Sequence, residues 1–513
     1  MGRERFGPGQ VAPGEPEQGD RVGLDDVGRG AAGVPSTFPD AELDRGERRD
    51  AQFDGPSGIA RGQECAHRAG GTGEFRAGEC AVHPPGEGGD GGAELLDLLC
   101  RHRPGHGPDA SITGVSRIDS QPARLARLGF ADAAAAAAMV ESWQQEGTPE
   151  QVEWALAELP GTADPDLALA GFHQLVGARP GLLGEIGRDP DFGRRLVAVL
   201  GASVALNQHL GNHPDDVSAL VGSVARRPAE ELRTELLAAV GADPGRADPV
   251  ADHTRSDDLR RAYRRALLRL AARDLTAADP LADLPDVAGE LADLADATVE
   301  TALALARGEV PGWEKCRLGI VALGKTGARE LNYVSDVDVL YVAEPACDAD
   351  GEPVCDLGTA VGLATRLVSA LSRVCSAHTG AGTIWQIDAA LRPEGKAGPL
   401  VRTLASHRAY YEKWAKNWEF QAMLKARPMA GDLTLAQAFV DIVWPMVWRV
   451  ADNDEFVGEV QAMRRRVISL LPAREASTEI KLGAGGLRDV EFSVQLLQLV
   501  HGRADERLRL RGT

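Results

Sequence analysis

The sequence predicts a mostly helical α+β chain in which a small mixed sheet stands between two helical regions. Three observations lead there. From about residue 119 to Glu309, Leu and Ala recur at three- and four-residue spacings, the period of helices with one apolar face. After Pro311, short apolar runs with β-branched residues ("CRLGIVALG", "VDVLYVAE", "TIWQIDAALRP") read as buried strands. From "LASHRAYYEKWAKNWEF" to the end, helical spacing returns.

The bulk properties narrow the function classes. A chain of 513 residues has room for about three domains by the usual length prior. The net charge of −20 and the 5% aromatic content argue against a nucleic-acid binder, which needs a basic groove and stacking rings. No apolar run is recognised as approaching the roughly 20 residues of a membrane span, and no secretory signal opens the chain. Seven dispersed cysteines without CxxC spacing fit a reducing, cytoplasmic compartment rather than a disulfide frame or zinc site.

Taken in order, residues 1–115 are rich in Gly, Arg, Asp, Pro and Glu, with no sustained period. Such composition buries too little apolar surface to offset chain entropy. The segment reads either as a disordered tail or as translation assigned from too early a start. Its Cys80 and His83 are weak metal candidates in a Gly-rich run. Residues 119–310 form a helical domain, broken at Pro160, "GARPG", "GRDPD" and "DHTRSDD". His209 and His213 share a helical face, but no carboxylate motif accompanies them and Pro214 ends the helix. In "LRRAYRRALLRLAARDL", Arg261, Arg265, Arg269 and Arg273 make a basic stripe beside an apolar one. The stripe reads as a solvated face, with a phosphate or an acidic partner as the functional alternative. Residues 311–430 hold the sheet: two strands, the helix "DLGTAVGLATRLVSALSRVCSA", a third strand in "TIWQIDAALRP", and "GPLVRT" pairing nearby. Residues 431–513 are helical and stop in a polar stretch, which reads as a truncated region.

The chemistry gathers in "GKTGARELNYVSDVDVLYV". Asp336 and Asp338 are two apart on a strand, so their side chains share a face, with Cα atoms roughly 6.5–7 Å apart. Two carboxylates this close repel unless they share a proton or a cation. Oxygen donors of this kind suit Mg²⁺. Asp388 on the later strand supplies a third acid, and three acids on adjacent strands can hold two metal ions for phosphoryl or nucleotidyl transfer. Upstream, Gly324 lets backbone approach a ligand closely, and free N–H groups at the start of the following helix can meet phosphate. Lys325, Arg329 and Ser335 are further nucleotide or phosphate contacts, as are Arg392 and Lys396 in "LRPEGKAG". Tyr410, Tyr411, Trp414, Trp418 and Phe420 read as helical core more than as an adenine platform. "GAGGLRDVEF" follows no clear strand; it reads as a tight turn into a helix, with Arg488, Asp489 and Glu491 ordering the packing there.

Strand, G-K turn, short helix, S-D-x-D strand and a later aspartate together resemble the DNA-polymerase-β-like nucleotidyltransferases. "GKTGARELNYVSDVDVLYV", "IDAALRPEGKAGPLVRTLASHRAYYEKWAKNWEFQAMLKARPMAGD" and "IKLGAGGLRDVEFSVQLLQL" resemble the bifunctional glutamine synthetase adenylyltransferase/adenylyl-removing family, over about residues 119–513. The helical words "VLGASVALNQHLGNHP" and "LRRAYRRALLRLAARDL" are similar to its N-terminal region. The resemblance implies a polymerase-β-like core, metal ligands Asp336, Asp338 and Asp388, and two Mg²⁺ ions. It implies removal of AMP from an adenylylated tyrosine of glutamine synthetase by phosphorolysis, with release of ADP. It also implies ATP and phosphate as ligands, and signals arriving through the PII protein and glutamine. Ala389 and Ala390 stand where many members carry a basic residue or Met. A single S-D-x-D word implies the N-terminal, deadenylylating half, with the adenylylating half absent. Two alternatives remain: a transferase adding AMP from ATP to this or another protein, and a non-catalytic module sensing PII or glutamine.

Overall fold

The computed structural model describes residues 120–476 and 478–513. The readings for residues 1–115, including Cys80 and His83, lie outside the described residues.

The described part is mostly helical with a small mixed five-stranded sheet. Helices α1 (Gln121–Arg127) to α8 (Ala229–Ala239) come first. Aspartates recur as caps here: Asp132, Asp164 and Asp189 each accept a backbone N–H from the first turn of the helix they precede. Each satisfies one of the donors that helix geometry leaves unpaired. Two long helices follow, α9 (Ser256–Leu275) and α10 (Pro280–Glu309). Alanine and leucine line α10, and its residues from Ala292 to Arg307 are buried apart from the partly covered Asp296.

The sheet comes next. Strand β1 (Cys316–Ala322) leads into a five-residue helix, α11 (Gly324–Ala328), and then β2 (Val337–Pro345). Helix α12 (Leu357–Ser376) is capped by Asp356 and precedes two-residue strands β3 (Ile387–Asp388) and β4 (Val401–Arg402). Helices α13 (Leu404–Lys413) and α14 (Asn417–Met423) lead to β5 (Arg427–Gly431), and α15 (Leu433–Val447) follows. The chain closes with α16 (Phe456–Ser469) and α17 (Leu487–His501).

The main path of the sheet runs β3-β2-β1-β5, and β4 also pairs with β2. Strand β1 is antiparallel to both β2 and β5, whereas β3 and β4 lie parallel to β2, one beyond the other along its edge. Strand alternation divides β2 between two cores. Val339, Tyr341 and Ala343 join the core shared with α10 and α12, while Leu340 and Val342 join the one under α15. Both faces are thereby covered, which is why these strands read as continuous apolar runs.

Four features differ from the sequence reading. Strand β5 lies where helix was expected, its "RPMAG" being too short and too Gly/Pro-rich to signal a strand. The third strand is only two residues long, because the chain leaves the sheet directly after Asp388. The stretch Leu433–Asp452 has a mean hydropathy of 1.2 over 20 residues, long and apolar enough by composition to cross a membrane. Here its Leu435, Ala436, Phe439, Val440 and Val443 pack on the sheet. Finally, the arginine stripe is not a plain solvated face. Arg261 and Arg265 meet the buried Asp216, Arg269 donates to the carbonyls of Ala219 and Ser223, and Arg273 pairs with Glu290. His209 also binds Asp216, at 3.0 Å, so this histidine is a structural partner of an acid.

Candidate active site

The site lies at one end of the sheet, where β1 runs out and β2 begins. Asp336 stands just before β2 and is exposed, while Asp338 is partly buried inside it. The pair is therefore less deeply buried than the apolar strand around it suggests. Strands β2 and β3 are in parallel register with Asp338 opposite Asp388, so these two acids sit side by side on one face. Asp388 is held by its own turn: its Oδ1 accepts the N–H of Ala390 at 2.7 Å.

Gly324 opens α11 with φ +51°, the left-handed region that favours glycine. A Cβ there would lie 2.0 Å from Oδ2 of Asp338. The glycine is what lets the carboxylate rest against the turn. The Leu323 N–H donates to the carbonyl of Asp338 at 2.9 Å, fixing the turn to the strand. Lys325 donates to Asn332 at 3.0 Å. Burial and then the nearby Lys481 lower the Lys325 pKa, against the pull of Asp338, Asp336 and Glu491.

A cleft of about 370 Å³ opens beside these residues, lined by Asp336, Asp388, Lys396, Gln386, Ser372 and Ser376 among others. It brings two of the three acids together with one of the expected basic residues. A larger cavity of about 790 Å³ lies behind α11, and none of the three aspartates lines it.

The remaining expected contacts divide. Ser335 turns its hydroxyl to the carbonyl of Asp336 at 3.0 Å. Arg392 spends its guanidinium on the carbonyls of Ala389, Lys396 and Gly398, which makes it the clamp of the loop that presents Lys396. Arg329 pairs with Asp293 of α10 at 2.6 Å and faces that helix. Tyr411 packs its ring against both Phe420 and Phe439 of α15, but Trp414 is 70% exposed.

A row of acids on α10 escaped the sequence reading. Glu290, Asp293, Asp296 and Glu300 recur at three- and four-residue spacing on an otherwise apolar helix. They receive Arg273, Arg329, Arg427 and the N–H of Gly431, respectively. Burial raises Asp296 to about 6 even with Arg427 beside it. The signal was legible: acids repeating along a buried face demand partners. The row anchors both the turn after α11 and strand β5, and so frames the site.

Three carboxylates, two of them in register, supply only hard oxygen donors, which fit Mg²⁺. Among the described residues no three acidic, His or Cys side chains converge into a ready-made metal cage. The fit therefore rests on donor chemistry and strand register.

Residues 193–442 match the family model described as Glutamate-ammonia ligase adenylyltransferase, and residues 461–511 match the one described as GlnD PII-uridylyltransferase. The chain is 56% identical over 353 residues to a bifunctional glutamine synthetase adenylyltransferase/adenylyl-removing enzyme of Cutibacterium acnes, covering 68% of this chain and 35% of that protein. It is 51% identical over 409 residues to the protein of that name from Streptomyces avermitilis, covering 78% and 38% respectively. A third, from Mycolicibacterium smegmatis, is 46% identical over 398 residues, covering 76% and 38%. The chain thus spans a little over a third of the length of these curated relatives. Residues 193–442 thus carry the domain of the glutamate-ammonia ligase adenylyltransferase family, and the aligned stretches are similar to its bifunctional members.

Proposed function

We propose that this chain carries a polymerase-β-like nucleotidyltransferase site that removes AMP from an adenylylated tyrosine of glutamine synthetase. The observation that carries the reading is the strand register setting Asp338 beside Asp388, with Asp336 two residues from Asp338 and lining one cleft with Asp388. The relatives' names supply the substrate and the two opposed activities, adenylyl transfer and adenylyl removal.

In the reaction, an oxygen of inorganic phosphate attacks the phosphorus of the tyrosyl-bound AMP. A new P–O bond forms, the bond from phosphorus to the tyrosine oxygen breaks, and the proton carried by hydrogen phosphate ends on tyrosine. The products are ADP and glutamine synthetase with its tyrosine hydroxyl restored. Asp336, Asp338 and Asp388 would hold Mg²⁺, which when bound supplies charge neutralisation at the attacking and leaving oxygens. Lys396 lines the same cleft as Asp336 and Asp388 and would meet phosphate charge there. Gly324 and Lys325 form the turn against which the carboxylate and phosphate groups rest. Regulation through PII belongs to the same proposal, supported by the match of residues 461–511 to a family named for modifying PII.

The test is to supply adenylylated glutamine synthetase, phosphate and Mg²⁺ and measure ADP. The wild-type chain should release ADP and Asp338→Asn should not. ADP release by Asp338→Asn at a rate near wild type would overturn the site assignment.

A further inference from the structure

Helix α11 is too short to hold its own place, yet its first residue rests against Asp338. Its five residues make little more than one turn, so contacts from outside must fix them. The stretch from Lys425 to Arg427, which enters β5, supplies three of those contacts. The ladder between β1 and β5 pairs Ala322 with Arg427, so the residues just before Arg427 run toward the turn that follows Ala322. The carbonyl of Lys425 lies against Gly327, where a Cβ would sit 2.1 Å from it. Arg427 donates to the carbonyl of Thr326 at 3.0 Å, its guanidinium being anchored by Asp296. The ammonium of Lys425 reaches Glu330, two residues past α11, at 3.4 Å.

That ammonium has further partners. Lys425 is 5% exposed, and a lysine so buried needs its charge met. Besides Glu330, it donates to Glu491 of α17 at 3.0 Å and to the hydroxyl of Thr513 at 3.0 Å. Glu491 also accepts from Gln495 at 3.2 Å, and Gln495 accepts from Gln421 of α14 at 2.7 Å, so the acid is held from both helices. Between α11 and Glu330 stands Arg329, with φ +61°, a left-handed conformation that is strained for a residue with a Cβ. Asp293 holds the Arg329 side chain and Lys425 holds that of Glu330, so ion pairs at successive residues keep the strained backbone in place. The Glu330 N–H closes back on the carbonyl of Lys325 at 2.9 Å, and the Gly327 N–H on that of Leu323 at 2.7 Å. An unbroken run of contacts therefore joins the Lys425 ammonium to the Gly324 turn and the carboxylate of Asp338.

We propose that Lys425 is a positioning residue for the reaction: its ammonium ties Glu330, behind the turn, to Glu491 of α17, and so sets where the Asp338 carboxylate stands. This rests on the function proposed above for which reaction is affected; the placing of the carboxylate does not depend on it. Lys425 is not among the residues lining the cleft, so its effect passes through the turn.

The test uses the full chain with Lys425→Met, Lys425→Arg and Glu330→Gln, and with Asp216→Asn as a control weakened through an unrelated ion pair. Lys425→Met keeps the apolar stem and removes the charge, leaving Glu330 and Glu491 to repel across the place of the ammonium. The turn should shift, and Mg²⁺ affinity, read by calorimetry without turnover, should fall about tenfold. At saturating Mg²⁺, kcat for ADP release should fall about tenfold or more, with KM for phosphate and for the adenylylated protein within twofold of wild type. Glu330→Gln should show the same pattern more weakly, and Lys425→Arg should retain most of both quantities. Asp216→Asn should lower the melting temperature with Mg²⁺ affinity and kcat unchanged. Mg²⁺ affinity and kcat within twofold of wild type in both Lys425→Met and Glu330→Gln would overturn the proposal, because Lys425 would then support the fold alone. If Lys425→Met does not fold, Glu330→Gln decides. If the wild type releases no ADP, the reaction assignment falls, and Mg²⁺ affinity alone upholds or overturns the positioning role.

Discussion

Gly324→Ala isolates the geometry of the site from its chemistry, because no ionisable group is removed. The new Cβ would lie 2.0 Å from Oδ2 of Asp338, and contacts under 3.0 Å are essentially never seen, so the carboxylate must move by about 1 Å. The obstacle is a side chain, which can rotate away, so the fold survives. The left-handed φ of +51° adds about 1 kcal/mol of strain for a residue with a Cβ. A misplacement of about 1 Å at reacting groups costs roughly 100-fold in rate. Gly327→Ala is the contrasting change: its Cβ would meet backbone carbonyls, Lys425 at 2.1 Å and Ala322 at 2.8 Å, which cannot rotate away. It should cost about 1–3 kcal/mol of stability through overpacking. Denaturant unfolding and ADP release, measured on both variants, separate the two. Gly324→Ala with activity near wild type would refute the claim that this turn positions Asp338.

Further outcomes follow from the same geometry. Asp336→Asn, Asp338→Asn and Asp388→Asn should each abolish ADP release and weaken Mg²⁺ binding by calorimetry while leaving the fold intact, since each removes an oxygen donor's charge. Arg329→Ala should lower the melting temperature by leaving Asp293, which is 3% exposed, to the more distant Arg226 at 3.7 Å, and leave KM for phosphate unmoved. Asp216 is lowered from 3.8 to about 2, its burial outweighed by hydrogen bonds from His209 and Arg261. A depressed carboxylate contributes stability above its unfolded pKa, here about 2 kcal/mol, and loses it as pH falls from about 4 through 2. Asp216→Asn should therefore destabilise the chain at pH 7, and the gap from wild type should narrow in unfolding measurements stepped down toward pH 3.

Much of the site was legible because its signals are local. The period of two in "DVDVLYV" and the glycine after β1 are read directly from the residues, and the later Asp388 follows from the strand before it. What stayed hidden depends on long-range partners. Arg329 and Arg392 look alike in sequence as loose basic residues after a turn. Only the fold shows that one meets an acid on α10 and the other three carbonyls of its own loop. Strand β5 was missed for a related reason: "RPMAG" has no strand pattern of its own and is a strand because β1 offers it an open edge. The arginine stripe on α9 was misread because its counter-charge, Asp216, comes from a turn 45 residues upstream.

The fate of labelled phosphate tests the central claim most directly. With ³²P-labelled inorganic phosphate, unlabelled adenylylated glutamine synthetase and Mg²⁺, the label should appear in the β-phosphate of ADP. Its appearance should stop when Asp388 is changed to Asn. Release of unlabelled AMP at a rate indifferent to phosphate would contradict the account, because water and not phosphate would then be the attacking group.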